Sequence, residues 1–301
     1  MAKIPEFLVD MLEKQYGTEQ TNTILKGYQA KRMTTLRVNT LKSNKSIVKK
    51  ELENKKITYQ EVSWNETALI VTNADENDIQ KLEIYKNGEI YLQSLSSMLP
   101  VMVLNPKEGE NILDMAAAPG SKTTQMAAVT NNKAMITACE LNKIRGERLK
   151  YNLEKQGVTC GYVMITDARN LSDFFSFDKI LLDAPCSGSG TIYEEDKMLE
   201  KNFTTNLIQK SAKTQVALLK KALNLLKSGQ EMVYSTCSIL KNENEEILEK
   251  ALKGTKAEIV PIQLKDVKEI PLLPVSIPGT ICVCPNEMFE GFFIAKIKIT
   301  K

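Results

Sequence analysis

The sequence of 301 residues contains no histidine at all. This absence excludes a Ser-His-Asp triad, a Cys-His dyad and the common zinc hydrolase sites. Any acid–base chemistry must therefore use carboxylates, lysines, tyrosines or thiols. The six cysteines include one C-x-C pair, Cys282 and Cys284, but nothing in the sequence completes a zinc site around it. We therefore expect no metal.

Long apolar runs are also lacking. No stretch approaches the roughly 20 apolar residues that a membrane helix needs, and charges interrupt the apolar positions of residues 1–15, which excludes a signal-peptide core. With 43% hydrophobic and 26% charged residues, the composition is typical of a globular protein. Cysteines without a secretory signal favour a reducing compartment. We expect a cytoplasmic protein that is a monomer and has no membrane partner.

The net charge of +3 is too small to indicate a nucleic-acid partner by itself. Its distribution is more informative, because residues 29–50 carry seven lysines and arginines and no acid. This basic segment is typical of a phosphate-binding face, and equally of a solvated surface beside a hairpin.

Residues 1–88 predict a small α+β domain, which ends at a turn formed by Asn87 and Gly88. Alternating apolar residues indicate strands, and wider apolar spacing indicates helices. The elements expected there are an amphipathic helix over 4–16, a strand over 34–40, a helix over 46–56 opened by Ser46, and a strand over 68–72.

Residues 89–301 predict a larger α/β domain with regular strand–helix alternation. Apolar strands joined by helical crossovers indicate a parallel sheet covered on both faces. The segments 279–285 and 291–299 predict a closing antiparallel pair. The expected parallel strands are 111–115, 134–140, 161–166, 179–183 and 231–236, with helices such as 143–156 and 206–227 between them.

Acids and thiols follow several of these strands. In open α/β sheets, ligands bind beyond the carboxyl ends of the strands, near the point where strand order reverses. We therefore expect a functional rim there. Its members are Asp114, Glu140, Asp167, Asp183 and Cys237, with Cys186 just beyond.

The first of these strands leads into the turn "DMAAAPGSKT", residues 114–123, which opens a helix. The turn lacks the glycine patterns of dinucleotide-binding proteins and of the P-loop, so it suits a ligand without a pyrophosphate. Glu140 is placed to accept hydrogen bonds from ribose hydroxyls, and Asp167 is placed to accept a hydrogen bond from an adenine amino group. The residues favour S-adenosylmethionine, with a nicotinamide or nucleotide enzyme as the alternative.

Four motifs resemble those of the Sun-type (NOL/NOP/Sun) RNA (cytosine-5) methyltransferases. They are "DMAAAPGSKT", "LLDAPCSGSGT", "YSTCS" and "GFFIAK", and the segments "LRVNTLK" and "YLQSLSSML" are also similar to that family. The resemblance implies a Rossmann-like methyltransferase fold with a mostly parallel sheet and an antiparallel closing strand. It also implies a small N-terminal ferredoxin-like domain, related to the RRM.

The same resemblance implies a covalent mechanism with S-adenosylmethionine as cofactor. By analogy, Cys237 attacks carbon 6 of cytosine, Cys186 assists product release, Asp183 holds the edge of the base and Lys122 contacts it. Arg145 also matches a family position, although a surface helix charge is the equal alternative. The implied cofactor residues are Ala116, Ala117, Ala118, Pro119, Gly120, Ser121, Lys122, Glu140, Arg145, Asp167 and Asp183.

The implied substrate is a structured RNA, with ribosomal RNA as first choice and transfer RNA as second. Two departures from the family affect RNA contacts: residues 192–198 carry three acids where a basic stretch is usual, and Asn286 replaces a common histidine. The alternative function is a non-catalytic RNA-binding or ribosome-assembly factor. The chain fits either a minimal form or the core of a longer protein. The expected RNA-binding residues are Lys31, Arg32, Arg37, Lys42 and Lys45.

Overall fold

A computed structural model describes residues 4–193, 199–263 and 269–300, so part of the predicted acidic departure at 192–198 lies outside the described residues. No helix in those ranges is long and apolar enough to cross a membrane. The helices are α1 Glu6–Gln29, α2 Lys45–Asn54, α3 Glu76–Gln80, α4 Glu83–Lys86, α5 Leu95–Leu104, α6 Ser121–Val129, α7 Lys143–Lys155, α8 Leu199–Asn202, α9 Thr205–Leu225 and α10 Glu245–Leu252. The strands are β1 Thr34–Val38, β2 Tyr59–Val62, β3 Asn65–Val71, β4 Ile90–Leu92, β5 Asn111–Asp114, β6 Met135–Glu140, β7 Gly161–Ile165, β8 Phe177–Asp183, β9 Leu226–Thr236, β10 Ala257–Val260, β11 Leu272–Leu273, β12 Ile281–Val283 and β13 Phe292–Ile299.

The N-terminal sheet has four strands in the order β2-β3-β1-β4, and its described pairs are antiparallel. Helix α2 packs Val48 and Leu52 into the core of this unit. The helix is capped by Asn44, whose side chain accepts the N–H of Ile47, and not by Ser46 as predicted. Strand β4 follows the predicted boundary at residue 88, so the small sheet extends past that boundary.

Helix α1 is longer than the predicted helix over 4–16. It continues to Gln29 across a kink at Gly17, where φ is 78°. Helix α1 contributes Leu8 and Ile24 to the main core of the larger domain. The first helix therefore packs with strands of the large sheet, although the predicted division assigns it to the small domain.

The large sheet has the order β11-β12-β13-β9-β8-β5-β6-β7, with β10 pairing β13. Strands β9, β8, β5, β6 and β7 run parallel to one another, and β13 is antiparallel to β9. This arrangement confirms the predicted fold class. The central strand β8 is buried on both faces, because Ile180 and Leu182 pack into one core and Leu181 into another.

Strand order reverses at β5, since the chain passes from β5 to β6 and β7 on one side and returns to β8 and β9 on the other. Such a reversal opens a crevice at the carboxyl ends of the central strands. Asp114 ends β5 and Asp183 ends β8 at this crevice. The fold thus brings the loops after β5, β8 and β9 together.

Candidate active site

Lys122 and Asp183 form an ion pair at the centre of the crevice. Lys122 Nζ lies 2.7 Å from Asp183 Oδ2 and donates to Ser97 Oγ at 2.9 Å. Ser235 Oγ donates to the other carboxylate oxygen of Asp183 at 2.8 Å. The lysine side chain is 9% exposed and the aspartate side chain 27%. The pair therefore presents a fixed carboxylate and a buried ammonium group to the cavity beside it.

The two predicted thiols meet at the ends of neighbouring strands. Cys186 Sγ and Cys237 Sγ are 3.2 Å apart. Strands β8 and β9 are paired in parallel up to Asp183 and Ser235, so the loops that follow them lie side by side. The hydrogen bond with Cys237, together with burial, raises the pKa of Cys186 well above its usual value.

A cavity of about 450 Å³ opens over these groups. Of the four predicted catalytic residues, Cys237, Lys122 and Asp183 line it, while Cys186 is not part of the lining. Both domains contribute walls, so a base that enters the cavity would contact residues from each. The other lining residues are Arg32, Met33, Thr35, Glu76, Tyr91, Leu92, Gln93, Ser94, Ser97, Pro119, Ser121, Thr191, Met288, Glu290 and Phe292.

The turn after β5 has the features of a ligand-binding loop. Asp114 is buried, and its Oδ2 accepts the hydroxyl of Thr123 at 2.7 Å, while its Oδ1 has no hydrogen-bond partner among the described residues. Burial raises the pKa of Asp114 to about 6. Gly120 has a φ of 108°, and a Cβ there would lie 3.0 Å from Leu149 Cδ1. A tight backbone turn at a helix start can offer N–H groups to a polar ligand such as S-adenosylmethionine.

Glu140 and Arg145 are joined to that turn. Glu140 Oε1 accepts the N–H of Asn142 at 2.8 Å, and Arg145 Nη1 lies 3.7 Å from Glu140 Oε2. Arg145 Nη2 donates to the carbonyl of Ala118 at 2.8 Å. Arg145 therefore contacts both the strand-end acid and the predicted cofactor loop.

Asp167 is engaged by a neighbouring arginine that the sequence interpretation missed. Arg169 Nη2 donates to Asp167 Oδ2 at 2.6 Å, and this hydrogen bond lowers the pKa of the Asp167 carboxyl. Two apolar side chains beside Glu140 were also missed: Leu141 is 65% exposed and Ile144 is 70% exposed. The sequence shows these two apolar residues close to the strand-end acid, and exposed apolar side chains at such a place indicate a binding site.

Arg37 does not belong to an RNA-binding surface, which corrects the prediction for this residue. Arg37 is 2% exposed, and it donates to Gln93 Oε1 at 2.9 Å and to Thr124 Oγ1 at 3.0 Å. Burial lowers the pKa of Arg37 to about 10. Its guanidinium joins β1 of the small sheet to α6 of the large domain.

Lys42 and Lys45 are held by partners within the chain. Lys42 Nζ donates to the carbonyls of Asn87 and Lys155 at 3.0 and 2.7 Å. Lys45 Nζ lies 2.7 Å from Glu61 Oε2. Both cations lie away from the lining of the active-site cavity.

Lys31 and Arg32 lie at the junction of the two domains. Lys31 is exposed, and Arg32 lines the cavity. Arg32 Nη1 lies 3.3 Å from Glu290 Oε1, and Ser94 Oγ donates to Glu290 Oε2 at 2.6 Å. Of the five predicted RNA-binding residues, Arg32 is the one that lies at the cavity.

No group of three or more cysteine, aspartate or glutamate side chains within the described ranges has the arrangement of a metal site. The C-x-C pair at Cys282 and Cys284 is buried. The hydroxyl of Tyr16 lies 3.7 Å from Cys282 Sγ.

Two family models match the chain. Residues 101–298 match the model described as 16S rRNA methyltransferase RsmB/F. Residues 4–77 match the ferredoxin-like domain of the RsmF/B-like methyltransferases. Together the two models cover most of both domains, and they confirm the predicted family resemblance.

Curated relatives carry the name ribosomal RNA small subunit methyltransferase F. The proteins of Aeromonas salmonicida and Vibrio campbellii are each 36% identical to this chain, over 246 and 245 residues. Each match covers 79% of this chain and 51% of the relative. The chain therefore spans about half the length of the curated relatives it matches.

Solved structures share the whole fold. A methyltransferase homologue from Pyrococcus horikoshii is 31% identical and superposes with a TM-score of 0.82, covering 98% of this chain and 99% of that one. The structure of NSun6 from Pyrococcus horikoshii with SFG gives a TM-score of 0.87 at 24% identity, with 99% of both chains covered. At this identity, the second likeness shows the fold alone.

Proposed function

Because this chain belongs to the RsmB/F family of 16S rRNA methyltransferases, we propose that it methylates carbon 5 of a cytosine in ribosomal RNA. S-adenosylmethionine supplies the methyl group. The observation that carries the proposal is the pair of thiols, 3.2 Å apart, beside a carboxylate–lysine pair in one crevice. A methyltransferase that acts on an amine or a hydroxyl has no need of a thiol nucleophile.

Cys237 is the nucleophile in this proposal, since it lines the cavity and Cys186 does not. Its thiolate forms a bond to carbon 6 of the ring, and the electron pair of the carbon 5–carbon 6 double bond becomes available at carbon 5. Carbon 5 would then take the methyl group of S-adenosylmethionine, with the sulfur–methyl bond breaking and S-adenosylhomocysteine leaving. Loss of the proton from carbon 5 to a base restores the double bond and expels the Cys237 thiolate. Cys186 assists this release.

Asp183 and Lys122 stabilise the charge that develops on the ring. One carboxylate oxygen of Asp183 pairs with Lys122, and the other accepts the hydroxyl of Ser235, so the carboxylate is fixed in orientation. A fixed carboxylate beside the ring nitrogen stabilises its protonated form and makes carbon 6 more electrophilic. Lys122 pairs with that carboxylate and supplies a donor for the carbonyl oxygen of the base.

The cofactor pocket in this proposal runs from the 116–122 loop to the ends of β6 and β7. Glu140 accepts the ribose hydroxyls, Asp167 binds the adenine amino group, and the exposed faces of Leu141 and Ile144 cover the adenine ring. The orphaned oxygen of Asp114 supports a donor group nearby. The NSun6 structure from Pyrococcus horikoshii was determined with SFG, an analogue of S-adenosylmethionine.

RNA recognition in this proposal depends on Arg32 more than on the other predicted cations. Arg32 lines the cavity, where it can contact the phosphate of the nucleotide that enters. The target cytosine must leave its stack, which costs a few kcal/mol unless it is already unpaired. Ribosomal RNA with an unpaired cytosine therefore suits the site.

The test is methyl transfer with tritiated S-adenosylmethionine to small-subunit ribosomal RNA, ribosomal subunits and transfer RNA from a deletion strain. Digestion of the RNA and chromatography of the nucleosides should place the label in 5-methylcytidine from ribosomal RNA. Label in another nucleoside would refute the proposed chemistry, and label only in transfer RNA would refute the substrate. RNA binding without any transfer would favour the non-catalytic alternative.

A further inference from the structure

A buried glutamate outside the predicted site contacts both cysteine loops. Glu243 is 0% exposed. Its Oε1 accepts the N–H of Ser187 at 2.7 Å, and its Oε2 accepts the hydroxyls of Ser187 at 2.5 Å and Ser238 at 2.7 Å. Ser187 follows Cys186, and Ser238 follows Cys237. One carboxylate therefore holds the residue after each thiol.

Further hydrogen bonds fix this carboxylate and the loops around it. The carbonyl of Glu243 accepts the buried hydroxyl of Tyr234 at 2.6 Å. Ser189 and Ser238 hydroxyls lie 2.8 Å apart, which joins the two cysteine loops a second time. Glu243 thus lies in a rigid network, and its position sets the position of both loops.

The charge of Glu243 acts on the thiol of Cys186. Burial raises the pKa of Glu243, and the hydrogen bonds from Ser187 and Ser238 favour its ionised form. After the hydrogen bond with Cys237 and burial, the negative charge of Glu243 is a further cause that raises the pKa of Cys186. A nearby negative charge favours the neutral thiol, so Cys186 stays protonated.

We propose that Glu243 is a positioning residue that holds the two cysteine loops together, with Cys237 at the cavity and a buried carboxylate next to the Cys186 loop. The inference rests on the proposed function, because the placement of the two thiols matters only in covalent chemistry. Glu243 itself makes and breaks no bond in the reaction.

The experiment measures the reactivity of Cys186 toward iodoacetamide as a function of pH. Its thiolate forms a sulfur–carbon bond and displaces iodide, so the rate follows the thiolate fraction. In a Cys237→Ser background, Glu243→Gln is compared with the parent, and peptide mass spectrometry reports Cys186 alone. Removal of the charge should lower the pH midpoint by roughly one unit, or raise the rate about tenfold at a pH below the midpoint.

The matched control is Glu245→Gln, a second buried glutamate two residues along the chain. Glu245 is 4% exposed and accepts the N–H of Ser276 at 3.3 Å, so its partner lies outside the cysteine loops. The control should leave the midpoint unchanged. An equal midpoint in Glu243→Gln, Glu245→Gln and the parent would overturn the inference. The assay needs neither RNA nor methyl transfer, so this failure is distinct from a failure of the proposed function.

If Glu243→Gln does not fold, Ser187→Ala and Ser238→Ala in the full chain carry the test. Each removes one hydroxyl from the carboxylate and keeps the charge. The inference predicts a fall in kcat of about tenfold with an unchanged KM for RNA, because only the alignment of the thiols is lost. Unchanged kcat in both variants would overturn it.

Discussion

The buried carboxyl of Asp114 makes the folded protein less stable as pH rises. Its pKa is about 6 in the folded protein against 3.8 for an unperturbed aspartate. Between these values the unfolded chain loses the proton while the folded protein keeps it, so stability falls with rising pH. At about 1.4 kcal/mol per pKa unit, these two pKa values give a loss of about 2.4 kcal/mol between pH 4 and pH 7. Asp114→Asn cannot titrate and should escape this loss.

The assay is urea unfolding of the wild type and Asp114→Asn at several pH values from 4 to 7. The difference in unfolding free energy between the two proteins should change in favour of the variant by about 2.4 kcal/mol across that range. Asp178→Asn is the control that should show almost no change over this range, because the hydrogen bond from Lys227 lowers the pKa of Asp178 and its carboxyl therefore titrates at or below pH 4 in both states. A difference for Asp114→Asn that stays constant with pH would refute the reasoning.

Three further substitutions test separate parts of the structure. Arg37→Leu leaves two buried acceptors without a donor and should lower the unfolding free energy by about 3 kcal/mol, measured in urea; an unchanged value would contradict a structural assignment of Arg37. Gly120→Ala should weaken S-adenosylmethionine binding about tenfold, measured by calorimetry. The added methyl group meets Leu149 and is strained by the positive φ, so the loop is displaced. Equal affinity of the variant and the wild type would contradict the role of this loop in binding the cofactor. Lys122→Met should lower kcat by about 100-fold or more in the tritium assay while the fold survives, and full activity would remove Lys122 from the mechanism.

The parallel sheet was predictable, because its signals are local. An apolar run such as Ile180–Leu182, buried on both faces, followed by Asp183 marks a central strand and its carboxyl end. The crossover rule then brings such strand ends to one edge of the sheet. Asp183, Lys122 and Cys237 consequently line one cavity in the structure.

Features that depend on contacts distant in the chain were not predictable. Arg37 has the sequence context of a surface cation, and its burial depends on Thr124 of α6, which the folding of the large domain supplies. The helix over 4–16 was predicted too short because Gly17 interrupts the pattern, although packing continues the helix to Gln29. Glu243 has no motif of its own, since its importance arises only where two loops meet.

The most direct test of the central claim is the covalent bond between Cys237 and RNA. Cys186→Ser and the double variant with Cys237→Ser should be incubated with ribosomal RNA and S-adenosylmethionine, then run on a denaturing gel. Because Cys186 assists release of the RNA, Cys186→Ser should accumulate a protein–RNA adduct that survives denaturation. Mass spectrometry should locate the bond at Cys237. An adduct that persists without Cys237, or methylation at the wild-type rate by Cys237→Ser alone, would contradict the account.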